Sequence, residues 1–590
     1  MSAATIGAML REAVALHQAG RLDEAGAIYA RVLAAQPGQV DALNLAGAIA
    51  LQCGDPARAA ELIGAAVARN PLFADAQANY GNALRLLGRH GEALTAYDAA
   101  LKLRPDHVAA LANRAEARRA LGQFTGAAAD TERALALAPD LTISHGLPAA
   151  DRARICDWSR RAADVAQLRA GIAAGHAPPP LELIALADDP VLQRRAGELL
   201  APPVQPVPAF AAPDGRIRLG YFGGNLRDNA VGFLIVEALE LHDRSRFAVT
   251  VFAWGAESGG DGGAMRRRFI AAAEAFEEVS ALDDGAVAAL ARARGIDIAL
   301  DLDGYTRGAR PGIFAARAAP VQAGYLGYPG TTGSAAIDYL VADAVIAPAG
   351  SEAGFSEALV HLPGSYQPND RQRAIAPTVP TRRAAGLPDE GTVFACFCQP
   401  YKIDPALFAG WLDLLRAVPG SVLWLIGGLP EAAANLRAAA QRGGVAPARL
   451  VFAPPLPLAA HLARHALADL ALDTRAYNGH TTTSDALWAG LPVVTCRGQS
   501  FAARVSASLL TSVGLPELIA GSRDDYLALA EALARDPARL AALRARLAAK
   551  RSSAPLFDTP AYVRGFEVAL AEMHRRRCAG LAPGPITVAG

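Results

Sequence analysis

A period of 34 residues runs through the start of the chain and limits what this part can fold into. Prolines, glycines and alanines recur at this spacing: Pro37, Pro71, Pro105 and Pro139; Gly20, Gly54, Gly88 and Gly122; Ala25, Ala59, Ala93 and Ala127. A further column holds small residues, Gly47, Gly81 and Ala115. Glycine suits a turn between paired helices, alanine a position where helices touch, and proline the opening of the next pair.

These columns, repeated in register, predict tetratricopeptide repeats over residues 1–140. Such repeats form an α-solenoid in which each helix pair buries its core against its neighbours and leaves a concave face for extended peptides. We therefore expect this segment to bind a protein partner on its concave face. A spacer or a dimerisation module is the alternative interpretation of the same array.

After the repeats, the pattern changes twice. Residues 141–214 are a predicted helical connector that ends in a linker rich in proline, "APPVQPVPAFAAPDG", because proline stops both helices and central strands. Short apolar strands then alternate with alanine-rich helical segments, which predicts parallel, doubly wound sheets. We assign residues 215–385 to one α/β lobe and 386–590 to a second, with a cleft between them.

Ten strands are predicted for the two lobes. They lie in "IRLGYFGG", "FAVTVFAWG", "IDIALDLDG", "VQAGYLGYPG" and "IDYLVADAVI" of the first lobe and in "TVFACFCQP", "SVLWLIGG", "RLVFAPPL", "DLALDT" and "LPVVTCRG" of the second. Ligands of doubly wound sheets bind beyond the carboxyl ends of the strands, where helix N-termini converge. The residues that follow these strands are therefore the first candidates for a site.

Charge and apolar patterning argue against several classes of function. With 57 basic and 57 acidic residues the net charge is zero, which predicts neither a nucleic-acid partner nor a membrane-surface partner. The first residues show no signal peptide, and no apolar run approaches the ~20 residues that a membrane helix needs. The six cysteines do not form the two closely spaced pairs that are typical of a zinc site. We therefore expect reduced, buried thiols in a cytoplasmic protein.

The stretch "DTRAYNGHTTTSDALWAG", residues 473–490, indicates an anion site. A predicted strand ends there, a turn follows, and a helix begins at the threonines; the free N–H groups of a helix N-terminus attract anions. Thr481 and Thr482 add hydroxyl donors and His480 a ring donor, while Asp485, one turn later, is placed to accept from sugar hydroxyls. A capped helix with a structural histidine is the alternative.

Lys402 strengthens the prediction of an anion site. Lysine occurs only three times in the chain, and Lys402 follows a predicted strand in "QPYKIDPALF", beside Gln399. A lysine is a compact charge suited to a phosphate. Its position at a strand's carboxyl end makes it a candidate partner of a diphosphate, against the alternative of a solvated surface charge.

At these residues the chain resembles glycosyltransferase family 41, the O-GlcNAc transferases and the related SPINDLY proteins. The resemblance covers nearly the whole chain and is carried, in order, by the repeats, "ICDW", "DGYTRGARPGIFAARAAPVQAGYLGYPGTTG", "LPGSYQPND", "YKIDP", "NGHTT", "DALWAGLPVVT", "FAARVSASLL" and "SSAPLFD". It implies a GT-B pair of α/β lobes after the solenoid. It also implies an inverting transfer, without metal or other cofactor, of a sugar from a nucleoside diphosphate to a protein Ser or Thr hydroxyl.

The resemblance also implies roles for individual residues. Lys402 and Gln399 match family residues at the diphosphate, and His480, Thr481 and Thr482 match the helix start that holds the phosphates. Asp485 matches a contact of the ribose, and His461 and Arg464 match contacts of the nucleotide base. Lys402 and His480 are therefore the expected catalytic residues of the second lobe.

Three positions depart from the family pattern. After the first strand the family usually has Asp-Phe-x-x-His, whereas this chain has Asn225 and Asn229 in place of the aspartate and the histidine. A neutral amide does not titrate near pH 7, so Asn229 at this catalytic position is expected to orient groups by hydrogen bonds and not to act as a base. Leu458 stands where the family has a lysine near the donor.

The departures leave three functions open. The first is transfer of GlcNAc from UDP-GlcNAc to a protein held by the repeats. The second is modification of flagellin with another nucleotide sugar, such as a CMP-nonulosonic acid. The third is a binding scaffold with weak catalysis. The acidic pair Asp301 and Asp303 resembles a metal site of other glycosyltransferases, but a metal-independent site is predicted.

Overall fold

The computed structural model describes residues 2–141, 145–206, 215–255 and 263–589. The chain divides into two compact units, Met1–Arg152 and Ala153–Gly590. Of the predicted proline-rich linker, residues 207–214 lie outside the described ranges. Within these ranges, no helix combines the length and the apolar character needed to cross a membrane.

The repeats form antiparallel helix pairs, as the 34-residue period predicts. The helices are α1 (Ala3–Gln18), α2 (Leu22–Ala35), α3 (Val40–Gln52), α4 (Pro56–Arg69), α5 (Ala74–Leu86), α6 (His90–Leu103), α7 (Val108–Ala120) and α8 (Phe124–Leu137). Gly20, Gly54, Gly88 and Gly122 lie in the turns within the pairs with φ between 73° and 78°, a backbone region that favours glycine. The periodic glycines therefore fix where each pair turns.

The other periodic columns supply the contacts inside the array. Ala25, Ala59, Ala93 and Ala127 are completely buried. A Cβ on Gly47 would lie 2.3 Å from the Ile63 side chain, and one on Gly81 would lie 2.6 Å from the Tyr97 ring. Both distances are far inside van der Waals contact, so the small residues are needed where neighbouring helices touch.

Helices α9 (Leu147–Arg154), α10 (Arg161–Ala173), α11 (Pro180–Leu186) and α12 (Pro190–Leu200) follow the repeats. The strands come next: β1 (Ile217–Gly223), β2 (Phe247–Ala253), β3 (Ala275–Glu278), β4 (Ile298–Asp301), β5 (Val321–Gly324), β6 (Tyr339–Asp343), β7 (Ala358–Leu362), β8 (Val393–Cys396), β9 (Val422–Ile426), β10 (Leu450–Ala453), β11 (Leu470–Leu472), β12 (Val493–Cys496), β13 (Ile519–Ala520) and β14 (Ile586–Thr587). All ten predicted strands are present. The sequence prediction missed β3, β7, β13 and β14, which are short or lack a distinctive apolar run.

Helices alternate with these strands, as expected of doubly wound lobes. They are α13 (Ala230–Glu240), α14 (Gly263–Ala272), α15 (Asp284–Ala293), α16 (Pro311–Ala315), α17 (Pro405–Ala417), α18 (Pro430–Arg442), α19 (Leu458–Arg464), α20 (Thr481–Trp488), α21 (Val505–Val513), α22 (Arg523–Ala534), α23 (Pro537–Lys550) and α24 (Thr559–Cys578). The described residues form two sheets, with orders β14-β7-β6-β5-β4-β1-β2-β3 and β10-β9-β8-β11-β12-β13. Every pairing in them is parallel.

The end of the chain returns to the first lobe. The sequence predicts the second lobe to run to residue 590, whereas β14 pairs with β7 through Ile586 and Val360. In α24, the Glu567 carboxylate lies 3.0 Å from Nδ1 of the buried His242 of the first lobe. A two-residue strand carries no sequence signal of its own, and its partner is far away along the chain. The return crossing is therefore set by tertiary packing.

The cysteines differ from expectation at two positions. Cys156, Cys396, Cys398 and Cys496 are buried free thiols, as expected. Cys53 and Cys578 are also free, but they are exposed, so the prediction of buried thiols is wrong for these two. Both lie near helix ends, where a side chain readily points outward.

Candidate active site

Two neighbouring strands of the second sheet bring the main candidate residues together. β8 and β11 pair in parallel, so their carboxyl ends lie at the same edge. A short 3-10 turn, Pro400–Lys402, follows β8, and α20 begins nine residues after β11. The Asp404 carboxylate accepts from the Leu407 N–H and fixes the start of α17 directly behind Lys402.

Lys402 is a buried cation at this edge. Only 9% of the residue is exposed, and its Nζ donates to the Asn478 carbonyl oxygen over 2.8 Å. The ammonium also lies 3.6 Å from the centre of the Tyr477 ring, a cation–π contact. Burial lowers the pKa of Lys402, while the neighbouring Cys398 and Asp473 raise it. An anion placed beside this ammonium would favour its charged form.

The N-terminus of α20 has no side-chain cap. His480 is the N-cap residue, and its side chain accepts no backbone N–H; its φ of −98° and ψ of −85° lie outside the extended region that capping side chains use. Thr481 and Thr482 are half-buried. Thr483 is buried, and its hydroxyl lies 2.8 Å from that of Ser506. The first two threonines are thus more exposed than the third, although the Thr482 hydroxyl lies 3.4 Å from Sγ of Cys398, whereas the third holds the helix to α21.

The turn before α20 is built around Asp473. Its carboxylate accepts from the Gly479 N–H over 2.6 Å and from the Thr495 hydroxyl over 2.6 Å. A Cβ on Gly479 would lie 2.6 Å from the hydroxyl oxygens of Thr482 and Thr483, so only glycine fits there. Burial raises the pKa of Asp473 to about 7. The "NGHTT" pattern thus has a local structural reason besides any contact with a ligand.

The His480 ring donates to the protein backbone in this structure. Its Nε2 lies 3.2 Å from the Ala502 carbonyl oxygen, and since a carbonyl only accepts, this nitrogen carries the proton. Burial, with the Lys402 charge as a second cause, lowers the pKa of His480 well below its usual value. The ring is therefore neutral near pH 7, and Nδ1 is an acceptor until the ring takes up a second proton.

Asp485, the predicted ribose contact, is half of a buried ion pair. Its Oδ1 accepts from Nη1 of Arg373 over 2.7 Å, and the Arg373 side chain is completely buried. Burial raises the pKa of Asp485 to about 6, against the lowering effect of Arg373. Arg373 also donates to Oδ1 of Asn369, which accepts from Ser484 as well. Asp485 therefore joins α20 to the segment that follows β7, and Arg373 holds its carboxylate in the interior.

The candidate contacts of the nucleotide base, His461 and Arg464, lie on α19. The Arg464 guanidinium donates to the Pro454 carbonyl oxygen over 2.6 Å and lies 4.5 Å from the centre of the Phe397 ring. Burial lowers the pKa of His461 to about 2, so this ring is neutral. A hollow lies between β8 and α20; Cys398, His465 and Thr482 line it, whereas His461 and Arg464 do not. Gln399 is exposed at the end of β8.

In the first lobe, Asn229 has a structural partner at each end of its amide. Its Oδ1 accepts from the Gly232 N–H over 3.0 Å and caps α13, while its Nδ2 donates to Asn225 over 2.7 Å. Asn225 in turn donates to Asp303 over 2.8 Å. Asn225 and Asn229, two of the three departures from the family pattern, therefore belong to one series of hydrogen bonds at the carboxyl ends of β1 and β4. Leu458, the third departure, is the first residue of α19, and it packs against the main cluster of buried apolar side chains of the two lobes.

The carboxylates of the acidic pair, Asp301 and Asp303, accept hydrogen bonds from backbone N–H groups. Oδ1 of Asp301 accepts from the N–H groups of Asp303 and Gly304, over 3.0 Å and 2.9 Å. Oδ2 of Asp303 accepts from the Gly224 N–H over 2.7 Å. Among the residues that the structure describes, no group of three His, Cys, Asp or Glu side chains is arranged to hold a metal ion. The hydrogen bonds give both carboxylates a role in the turns after β1 and β4.

Two residues of the site carry no signal of their own in the sequence. Tyr477, whose ring lies under the Lys402 ammonium, precedes the "NGHTT" motif by a single position. Arg373, the partner of Asp485, follows "LPGSYQPND", a stretch noted only for its resemblance. The pairing of Arg373 with a residue of α20 depends on how the lobes pack.

Comparisons with known proteins agree with this architecture. A model described as glycosyl transferase family 41 matches residues 167–377 and 369–566, and tetratricopeptide models match residues 7–40, 44–101 and 81–122. Among solved structures, an O-GlcNAc transferase of Thermobaculum terrenum in a mutant form is similar, with 31% identity and a TM-score of 0.58 over 98% of this chain and 100% of that one.

Curated relatives are similar over part of their length. The probable UDP-N-acetylglucosamine–peptide N-acetylglucosaminyltransferase SEC of Arabidopsis thaliana is 37% identical over 393 residues, 64% of this chain and 40% of the relative. The UDP-N-acetylglucosamine–peptide N-acetylglucosaminyltransferase of Caenorhabditis elegans is 28% identical over 491 residues, 64% of this chain and 42% of the relative. The chain thus spans about 40% of the length of these curated relatives.

Proposed function

The chain belongs to glycosyltransferase family 41, and on this premise we propose that it transfers a sugar from a nucleoside diphosphate to a Ser or Thr hydroxyl of a protein. We propose UDP-GlcNAc as the donor because the names of the relatives specify UDP-N-acetylglucosamine. The observation that carries the proposal is the buried Lys402 ammonium, bonded to Asn478 just before the uncapped start of α20. The expected cytoplasmic location stays a prediction.

The proposed mechanism uses this positive charge for the leaving group. When the acceptor hydroxyl attacks the anomeric carbon, the bond to the diphosphate breaks and negative charge develops on the leaving oxygen. Lys402 and the free N–H groups of α20 would stabilise that charge, and in a site with little water such stabilisation is strong. Asn229 has no useful titration, so the hydroxyl proton would leave through the donor phosphate or solvent.

The acceptor is part of the same proposal. The tetratricopeptide repeats would hold the acceptor polypeptide on their concave face, as such arrays do for extended peptides. Flagellin with a CMP-nonulosonic acid donor is the second candidate. It is favoured by Asn225 and Asn229, which differ from the family pattern on the side of the donor sugar and acceptor.

Calorimetry with UDP, GDP and CMP tests the proposal on the wild-type chain. Binding of UDP well above that of the other two supports a UDP-sugar donor, and transfer to candidate acceptors from UDP-GlcNAc then follows. Preference for CMP moves the proposal to the second candidate. No binding of any of the three contradicts both and leaves a protein-binding scaffold.

A further inference from the structure

The connector supplies a carboxylate to the second lobe. Asp188 lies between α11 and α12, and its Oδ1 and Oδ2 are 3.1 Å and 2.9 Å from the Gln499 nitrogen. The Ser500 N–H also donates to Oδ1, over 2.8 Å. Two consecutive backbone N–H groups thus bond to one carboxylate from a distant part of the chain. Hydrogen bonds to a charged acceptor are stronger than those between neutral groups.

The segment that Asp188 holds, Gly498–Ala503, follows β12 at its carboxyl end. A Cβ on Gly498 would lie 2.4 Å from Oδ2 of Asp188, so the close approach of the carboxylate requires glycine there. The Arg504 guanidinium also supports the segment, since it donates to the carbonyl oxygens of Gly498 and Val345 over 2.9 Å and 2.7 Å. Loss of Asp188 would therefore loosen this segment without releasing it.

The same segment contacts the candidate active site through one carbonyl group. The Ala502 oxygen accepts from the Asn478 N–H over 2.9 Å and from Nε2 of His480 over 3.2 Å. The Asn478 carbonyl oxygen in turn accepts from Nζ of Lys402. A continuous line of hydrogen bonds and peptide units therefore runs from Asp188 to His480 and Lys402.

The connector packs against residues that belong to or adjoin this series of hydrogen bonds. Ile184 and Ala185 of α11 belong to one buried apolar cluster with Tyr477 and Ala502. The Arg161 guanidinium donates to the carbonyl oxygens of Ala185 and Leu186, which fixes the end of α11 just before Asp188. Hydrogen bonds and apolar packing thus hold the backbone just before Asp188.

We propose that Asp188 is a positioning residue for the transfer reaction: by holding Gly498–Ala503 it sets where His480 and Lys402 face the diphosphate. The connector is then part of the catalytic unit and does more than link the repeats to the lobes. The effect on catalysis rests on the proposed function, whereas the effect on the backbone does not. A small misplacement of groups that contact the reacting centre can cost up to about 100-fold in rate.

The test compares Asp188→Ala with Asp189→Ala. Asp189 is the matched control because its carboxylate caps α12 through the Leu192 N–H and pairs with Arg169. We expect Asp188→Ala to lower UDP affinity and kcat/KM by about 10-fold to 100-fold, and Asp189→Ala to leave both within about 3-fold. Asp188→Asn should fall between wild type and Asp188→Ala, since Oδ1 alone reaches both N–H groups.

Two measurements separate positioning from general loss of structure. In a double-mutant cycle of UDP affinity, Asp188→Ala should cost much less in a His480→Ala background than in wild type, because both changes disturb the same contact. Additive costs, or equal effects of Asp188→Ala and Asp189→Ala, would overturn the proposal.

Hydrogen exchange of the unliganded protein gives a readout that does not depend on the nucleotide. Asp188→Ala should increase exchange at residues 478–484 and 498–503, and Asp189→Ala should not. Unchanged exchange in Asp188→Ala overturns the positioning role. If the wild-type chain binds no UDP, the proposed function fails, while the exchange data still decide whether Asp188 holds this segment.

Discussion

Two helix N-termini at the carboxyl ends of the two sheets are built in opposite ways. In the first lobe, the N-cap residue of α13 is Asn229, whose backbone is extended and whose side chain accepts from the Gly232 N–H. In the second lobe, the N-cap residue of α20 is His480, whose backbone is not extended and whose side chain accepts from no backbone group of the helix. The first N-terminus is closed by its own residue, and the second is left open.

This contrast indicates which of the two helix N-termini can bind an anion. An N-terminus that is already capped has fewer free N–H groups to offer, whereas an open one offers its N–H groups together with the helix dipole. Lys402 adds a cation next to the open end through Asn478, and the closed end faces Asn225 and Asp303.

Loss of Lys402 should have the largest effect. Lys402→Ala removes the charge that stabilises the leaving diphosphate, so kcat should fall by about 100-fold or more. The transfer rate at saturating donor measures this, and Lys102→Ala, on an exposed surface of the repeats, is the control. A loss below about 10-fold would contradict a diphosphate role for Lys402.

Substitutions of two threonines at the start of α20 should have different effects, one on UDP affinity and the other on the free energy of unfolding. Thr482→Val removes a half-buried hydroxyl from the open end and should weaken UDP binding by about 10-fold with little change in Tm. Thr483→Val breaks the contact with Ser506 and should cost about 1–3 kcal/mol of unfolding free energy, with little change in affinity. Calorimetry and denaturant unfolding measure the two quantities. The opposite pattern would place the ligand on the other threonine.

Asn229 should matter mainly as a cap. Asn229→Ala removes the cap of α13 and should lower the free energy of unfolding by about 1 kcal/mol, while Asn229→Ser keeps a capping oxygen and should recover most of it. The rate should fall much less than in Lys402→Ala. Equal and severe rate losses in the two alanine variants would show that Asn229 takes part in the reaction.

The smallest effect concerns a proton on His480. The pKa of this ring is lowered in the free protein, so it is neutral at pH 7, and a bound diphosphate beside Nδ1 would raise that pKa. Binding of UDP should then be coupled to uptake of less than one proton. Affinity should increase as pH falls through the pKa of the complex toward the lower pKa of the free protein, and it should decrease as pH rises through the pKa of the complex.

Calorimetry in buffers of different ionisation enthalpy measures this uptake. His480→Gln provides the control, because any proton exchanged by UDP itself would contribute in both proteins, and the difference between the two proteins belongs to the ring. Equal proton uptake in both would contradict a titrating His480.

Patterns that repeat locally made much of the fold predictable. Gly20, Gly54, Gly88 and Gly122 recur with the helix pairs, so their spacing predicted the solenoid, and the comparisons confirm both the repeats and the family. The doubly wound lobes followed from apolar strands that alternate with helices. The start of α20 followed from "NGHTT" after a strand, because strand, turn and helix are adjacent in the sequence.

The solenoid, the two lobes, and the positions of Lys402 and the α20 threonines after strands could thus be inferred from local patterns. Three contacts could not: β14 joins the first sheet, Arg373 pairs with Asp485, and Asp188 bonds to Gln499 and Ser500. The hydrogen bond from His480 to the Ala502 oxygen was not predictable either. The physical reason is distance along the chain: helices, turns and caps are set by neighbouring residues, whereas each of these contacts joins segments that only the packing of the whole unit brings together.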